Sequence, residues 1–72
     1  MMIERSIKIA RIDQVLSHPS VVLRDKEEPA LRHALGRIPE LSDRILRVVY
    51  NESIVPWIVV TAFLDRKAGR WL

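Results

Sequence analysis

Residues 44–67, "RILRVVYNESIVPWIVVTAFLDRK", decide how this chain folds. Two apolar runs rich in β-branched residues, 44–52 and 57–65, flank the short break "SIVP". Such runs read as strands. A connection this short cannot make a parallel crossover, so the two strands must pair as antiparallel neighbours. Side chains alternate along a strand. In the first run Leu46, Val48 and Tyr50 share one face, and Ile45, Arg47 and Val49 share the other. In the second, Ile58, Val60, Ala62 and Leu64 oppose Trp57, Val59, Thr61 and Phe63. Both faces are mostly apolar, so each needs a cover: a helix on one, and on the other a partner chain or a ligand that makes it a working surface.

Working outward, "IARIDQVLSHPS" predicts a short helix with Ile12, Val15 and Leu16 on one face. Pro19 ends it, because the residue before a proline is pushed out of the helical region. His18, beside it, fits a helix-end position that favours the helix dipole. "VVLRDKE" (21–27) predicts a strand. "PALRHALG" (29–36) is ambiguous: proline first, good helix formers and a closing glycine favour a helical turn, and a strand competes. "RIPELSD" (37–43) reads as a loop, and "RKAGRWL" as a basic tail.

Seventy-two residues make one small domain. A chain this short buries only about 60% of its unfolded surface. There is no cysteine, so neither a disulfide nor a thiolate zinc site can staple it. His18 and His33 alone do not make a zinc site, and no metal or cofactor is expected. No glycine-rich phosphate loop or serine–histidine–aspartate signature is present. The start, Met1-Met2-Ile3-Glu4-Arg5, does not read as a signal peptide. The longest uncharged run, Ser53 to Leu64, is 12 residues with a proline inside. A membrane-spanning helix needs about 20 apolar residues. The expectation is a soluble cytoplasmic protein with no membrane association.

Lysine and arginine total 12 against 9 acidic residues, for a net charge of +3. Nine of the basic residues are arginine, whose planar guanidinium suits phosphate. The acidic residues are interleaved with them, as on many small soluble domains.

"RILRVVYNES…WIVVTAFLDRK" resembles the C-terminal hairpin of a family of small bacterial and archaeal proteins. Its pattern is an arginine, "LRVVY", a break, "VVTAY" or "VVTAF", then "DR". That family is placed near the RelE/ParE toxins, in the barnase–EndoU–colicin–RelE group of ribonuclease-like folds. "RSI" and "IDQVLSHPSVV" are similar to its turn, helix and strand entry. The resemblance implies an α+β fold: a four-stranded antiparallel sheet with one or two N-terminal helices on one face. It also implies a strand within 29–36. Family members begin with a longer helix carrying a histidine and an arginine, and here that turn is missing. A late start or a shortened, inactive member is the expectation.

The implied activity is a metal-independent endoribonuclease of a toxin–antitoxin type, with RNA and an antitoxin protein as partners. RNA cleavage by the 2′-hydroxyl needs a base, an acid and cations. The candidates are His33, Tyr50 and Thr61 for catalysis, and Arg44, Arg47, Arg66 and Lys67 for nucleic acid. His33 is the one histidine of the sheet region, and so the one candidate for a local base near neutral pH. Each residue also has a structural reading. His33 fits a packed or exposed strand position, Thr61 fits the pleat, Tyr50 fits a core, and Arg44 and Arg47 fit strand-edge guards. Three functions stay open: an RNA-cleaving enzyme, a non-catalytic binder of RNA or a partner protein, and a structural module. Acidic residues on the arginine-bearing face would weigh against the first two. A homodimer is expected, through the sheet face or a strand edge.

Overall fold

The computed structural model describes residues 2–3 and 7–72. A two-residue strand β1 (Met2–Ile3) precedes helix α1 (Ile9–Ser17). Strands β2 (Val21–Arg24), β3 (Leu31–Ile38), β4 (Arg44–Asn51) and β5 (Ile58–Leu64) follow. Short 3-10 turns occupy Pro39–Leu41 and Ala68–Arg70. The sheet order is β1-β5-β4-β3-β2. β2 to β5 are antiparallel neighbours in sequence order, and β1 adds a parallel pair of residues to the outer edge of β5. The fold is α+β, with one helix and four antiparallel strands as its body. Arg5 and Ser6 of the "RSI" resemblance lie outside the described residues.

Helix α1 has no side-chain N-cap and no acidic residue in its first turn. Packing therefore holds it in place. Ile12 and Val15 are buried on the sheet, with Ile7 and half-buried Leu16 beside them. Under them lie Ala34 and Ile38 of β3, Leu46, Val48 and Tyr50 of β4, and Ala62 of β5. Each fully buried aliphatic side chain here stabilises the fold by about 1.5–3 kcal/mol. Gly36 lets the helix come close: a Cβ there would stand 3.2 Å from Cγ2 of Val15. Arg11 reaches Glu40 across 2.7 Å, at the surface, where such pairs contribute little.

The ambiguous segment 29–36 is strand from Leu31 onward. Ala34 and Ile38 meet the helix side, and Leu35 is fully buried on the other. A strand covered on both faces outweighs a weak local helical preference. Strand β3 also runs two residues into the expected loop, to Ile38. The expected strand 21–27 is shorter, ending at Arg24, because Asp25 turns back to accept the backbone N–H of Glu27 and Glu28.

Two features depart from simple alternation. The β4–β5 register shifts between Val49 and Tyr50, which pair with Thr61 and Val59. One extra residue in β5, Val60, is accommodated as a bulge. Ala62 and Leu64 share one face as expected, and it is the helix side, but Val59 joins them there, and Trp57 stacks on Tyr50 at 4.9 Å. Val59 and Trp57 therefore do not extend the face that carries Thr61 and Phe63. The tail also folds back. Buried Ala68 packs on Leu35 and Ile45, with Leu72 and Val21 alongside, and covers one end of the second face. Among the described residues no helix is long and apolar enough to cross a membrane.

Candidate functional site

The sheet face away from α1 carries a row of four polar side chains. Register places His33 opposite Val49, and Val49 opposite Thr61. The next row is Leu35, Arg47 and Phe63. Arg47 leans diagonally to His33, and its Nη1 donates to Nδ1 across 2.8 Å. Nε of the same guanidinium donates to Oδ2 of Asp65 at 2.7 Å. On the far side, His33 Nε2 meets Oδ1 of Asp25 at 2.7 Å. The result is a continuous chain, Asp25–His33–Arg47–Asp65, drawn from the β2–β3 turn, β3, β4 and the end of β5.

Both terminal carboxylates are fixed by backbone. Oδ2 of Asp25 accepts from Glu27 and Glu28 at 3.1 and 2.9 Å. Oδ1 of Asp65 accepts from Lys67 and Ala68 at 3.0 and 3.2 Å. The hydrogen bond from His33, then the N–H groups of Glu28 and Glu27, hold the Asp25 carboxyl below its ordinary value. Burial pushes the Asp65 carboxyl up, but the Arg47 hydrogen bond, the Ala68 N–H and the Arg47 charge outweigh it and leave it lowered. Both are carboxylates at neutral pH.

Two clefts flank this row. One, of about 360 Å³, is lined by Leu23, Arg24, Asp25, Lys26, His33 and Arg47, among others. The second, of about 350 Å³, lies where β4 begins and β5 ends, and includes Arg44, Asp65 and Arg66 in its lining. Asp65 belongs to the second cleft and holds Arg47 of the first, so the two are neighbours. Arg24, Lys26, Arg44 and Arg66 have no ion-pair partner among the described residues.

The structure therefore joins His33 to Arg47, and brings Arg44 and Arg66 into the lining of one cleft. Thr61 is in the His33 row two strands away, about 10 Å at the backbone by strand spacing. Tyr50 faces the helix side, buried and stacked on Trp57. Burial pushes its phenol up, Glu52 adds to that, and Arg32 opposes it. Tyr50 and His33 are on opposite faces. The Lys67 side chain is exposed at the turn after β5, while its N–H serves Asp65. Acidic residues do stand on the arginine-bearing face: Asp65 neutralises Arg47, as Glu52 does Arg32 on the helix side.

Sequence reasoning missed Asp25 and Asp65. The signal was there in part: each is followed two and three residues on by the N–H groups it accepts, a common aspartate turn. Among the described residues no group of three His, Cys, Asp or Glu side chains is placed to hold a metal ion. No curated protein and no solved structure matches the chain at a significant level. The family described as "Domain of unknown function (DUF4258)" matches residues 1–64, and the chain belongs to that family.

Proposed function

We propose that this protein is a toxin-like, RNA-binding member of its family that cleaves RNA at the Asp25–His33–Arg47–Asp65 row, as its resemblance to the RelE/ParE toxins suggests. One observation carries the reading. The imidazole of the sheet and an arginine are in contact on the helix-free face, between one cleft lined in part by Arg24 and Lys26, with Glu27, and another lined in part by Arg44 and Arg66, with Asp43; these four cations have no ion-pair partner among the described residues. In the proposed reaction the 2′-oxygen attacks the adjacent phosphorus and its proton passes to His33. The bond from phosphorus to the 5′-oxygen of the next nucleotide breaks, and that oxygen takes a proton from water. The products are a 2′,3′-cyclic phosphate and a 5′-hydroxyl end. Arg47 bears on the charge gathering at phosphorus.

The carboxylates weigh against the simplest form of this idea, in which every arginine of the face waits for phosphate. Arg47 already has Asp65. Phosphate affinity then rests mainly on Arg44 and Arg66 in one cleft and Arg24 and Lys26 in the other. Titration of a labelled single-stranded RNA at two salt concentrations, followed by gel analysis of the products, tests the proposal. Salt-dependent binding with cleavage that His33→Ala abolishes supports it. Absence of binding at low salt overturns it.

A second reading is favoured by apolar exposure on the same face. Leu23, Ile58 and Phe63 are 37%, 51% and 36% exposed, and register puts all three on the His33 side. A non-catalytic module that pairs with a second copy or an antitoxin-like protein through this face accounts for them. Light scattering separates the readings: a particle of 8.4 kDa at micromolar concentration is a monomer and rules the homodimer out.

A further inference from the structure

We infer that Asp25 and Asp65 are positioning residues: Asp25 fixes the proton of His33 on Nε2, and Asp65 fixes the guanidinium of Arg47 against Nδ1. The inference rests on the RNA-cleaving reading of this row and gives the row its direction.

The proton positions follow from donor counting. Arginine has only donors and a neutral imidazole has one N–H and one lone pair. Nη1 of Arg47 sits 2.8 Å from Nδ1, so Nδ1 must accept and the ring proton must be on Nε2. Oδ1 of Asp25, 2.7 Å from Nε2, accepts it. Each contact of the row then pairs a donor with an acceptor. The opposite tautomer would set two donors, Nδ1–H and Nη1–H, against each other and leave Nε2 facing a carboxylate lone pair to lone pair.

Neither carboxylate is a loose surface group. Each spends one oxygen on two backbone N–H groups and turns the other to its side-chain partner. The clamp sets where the second oxygen points, and hence where the ring and the guanidinium sit. Asp25 thus leaves Nδ1 as the nitrogen that takes a proton, and provides a counter-ion for the charge that then forms on the ring. Arg47 covers that lone pair in the resting protein. A phosphate drawing Nη1 away uncovers it, while Nε stays on Asp65, so the guanidinium pivots without leaving the site.

Long-range proton–nitrogen NMR on the full chain at neutral pH tests this without substrate. The wild type is expected to show His33 protonated on Nε2 and bare on Nδ1, and slowed solvent exchange of Arg47 Nε–H. Asp25→Ala should remove the protected His33 Nε2–H signal, and Asp65→Asn should restore fast exchange at Arg47. A wild-type ring protonated on Nδ1, or signals that neither substitution moves, overturns the inference. If either variant fails to fold, the wild-type spectrum still decides the proton position. In an RNA-cleavage assay each variant should lower kcat at least about tenfold with KM little changed. An unchanged kcat in a folded variant overturns the positioning role. If the wild type cleaves no RNA, the proposed function falls, while the NMR signatures still decide whether the two carboxylates hold the ring and the guanidinium.

Discussion

Arg47 and His33 touch diagonally across neighbouring strands: Nη1 donates to Nδ1 at 2.8 Å, although the register partner of Arg47 is Leu35 and that of His33 is Val49. Diagonal neighbours on one sheet face are within reach of long side chains. The contact makes the arginine a structural member of the face as well as a candidate cation.

Replacing Arg47 by methionine keeps the aliphatic stem and removes the donors. Asp65, whose side chain is 13% exposed in the pair, then loses its charged partner. Hydrogen bonds to charged groups contribute about 1.5–3 kcal/mol each, and the partial exposure here puts the cost at the low end. Urea unfolding at neutral pH should show Arg47→Met less stable by about 1–2 kcal/mol. An unchanged midpoint would mean that the row contributes nothing to the fold.

Acid should unfold this protein through the same row. Asp25 and Asp65 both have folded-state values below the ordinary 3.8. Depressed carboxyls bind fewer protons folded than unfolded, so their stabilisation is complete above the ordinary value and is lost as pH falls through the lowered ones. Stability should be flat in these groups from pH 7 to about 5 and fall below about pH 4. Thermal melts of the wild type and Asp65→Asn over that range check it. The variant should start lower at pH 7 and show the shallower acid slope.

The parts of the fold legible in sequence were those with a period. Alternation at 44–50 put Leu46, Val48 and Tyr50 on one shared face and helical spacing put Ile12 and Val15 on another, but which sheet face the helix covers came only from the structure. Residues 29–36 carried no such signal, because Ala34, Leu35 and Gly36 are small or apolar and fit either conformation. The bulge at Val60 was hidden for a related reason: "WIVV" alternates equally well in either register, and only the Tyr50–Val59 pairing selects one. In the candidate site His33 and Arg47 were legible as residue types, but not as neighbours, since a diagonal contact depends on side-chain length and lean. Asp25 and Asp65 read as the charged ends of strands. The folding back of Ala68 onto Leu35 and Ile45 depends on a tertiary contact that no local pattern announces.

Gly36 offers a test of the helix–sheet interface alone. Strand residues gain from β-branching, so Gly36→Val would stabilise an uncovered strand. Here a new Cβ meets Val15 at 3.2 Å, and Val15 is a fully buried β-branched residue with one strongly preferred rotamer in a helix. Relief requires lifting the helix. Gly36→Val should lower stability by about 1–3 kcal/mol, the usual range for overpacking. Calorimetry showing a higher Tm would mean that α1 sits more loosely on β3 than the geometry indicates.

The RNA-binding reading makes its sharpest claim at the cleft lined by Arg44 and Arg66. Neither has an ion-pair partner among the described residues, so a phosphate there would not compete with an internal carboxylate for them. Asp65 in the same lining is committed to Arg47, Lys67 and Ala68. Arg47 is the contrasting case, since any phosphate must share it with Asp65. Each arginine that contacts a single-strand phosphate contributes about 0.7 to the slope of log affinity against log salt. Arg44→Gln and Arg66→Gln should therefore each weaken binding and flatten the slope by about that amount, at every sequence alike, and the double variant by about the sum. Stability should change by less than about 0.5 kcal/mol, because both side chains are exposed. Anisotropy titrations at three salt concentrations measure the slopes. If both variants keep the wild-type slope while Arg47→Met flattens it, RNA sits over the His33 row alone, and the cleft at the start of β4 has no part in binding.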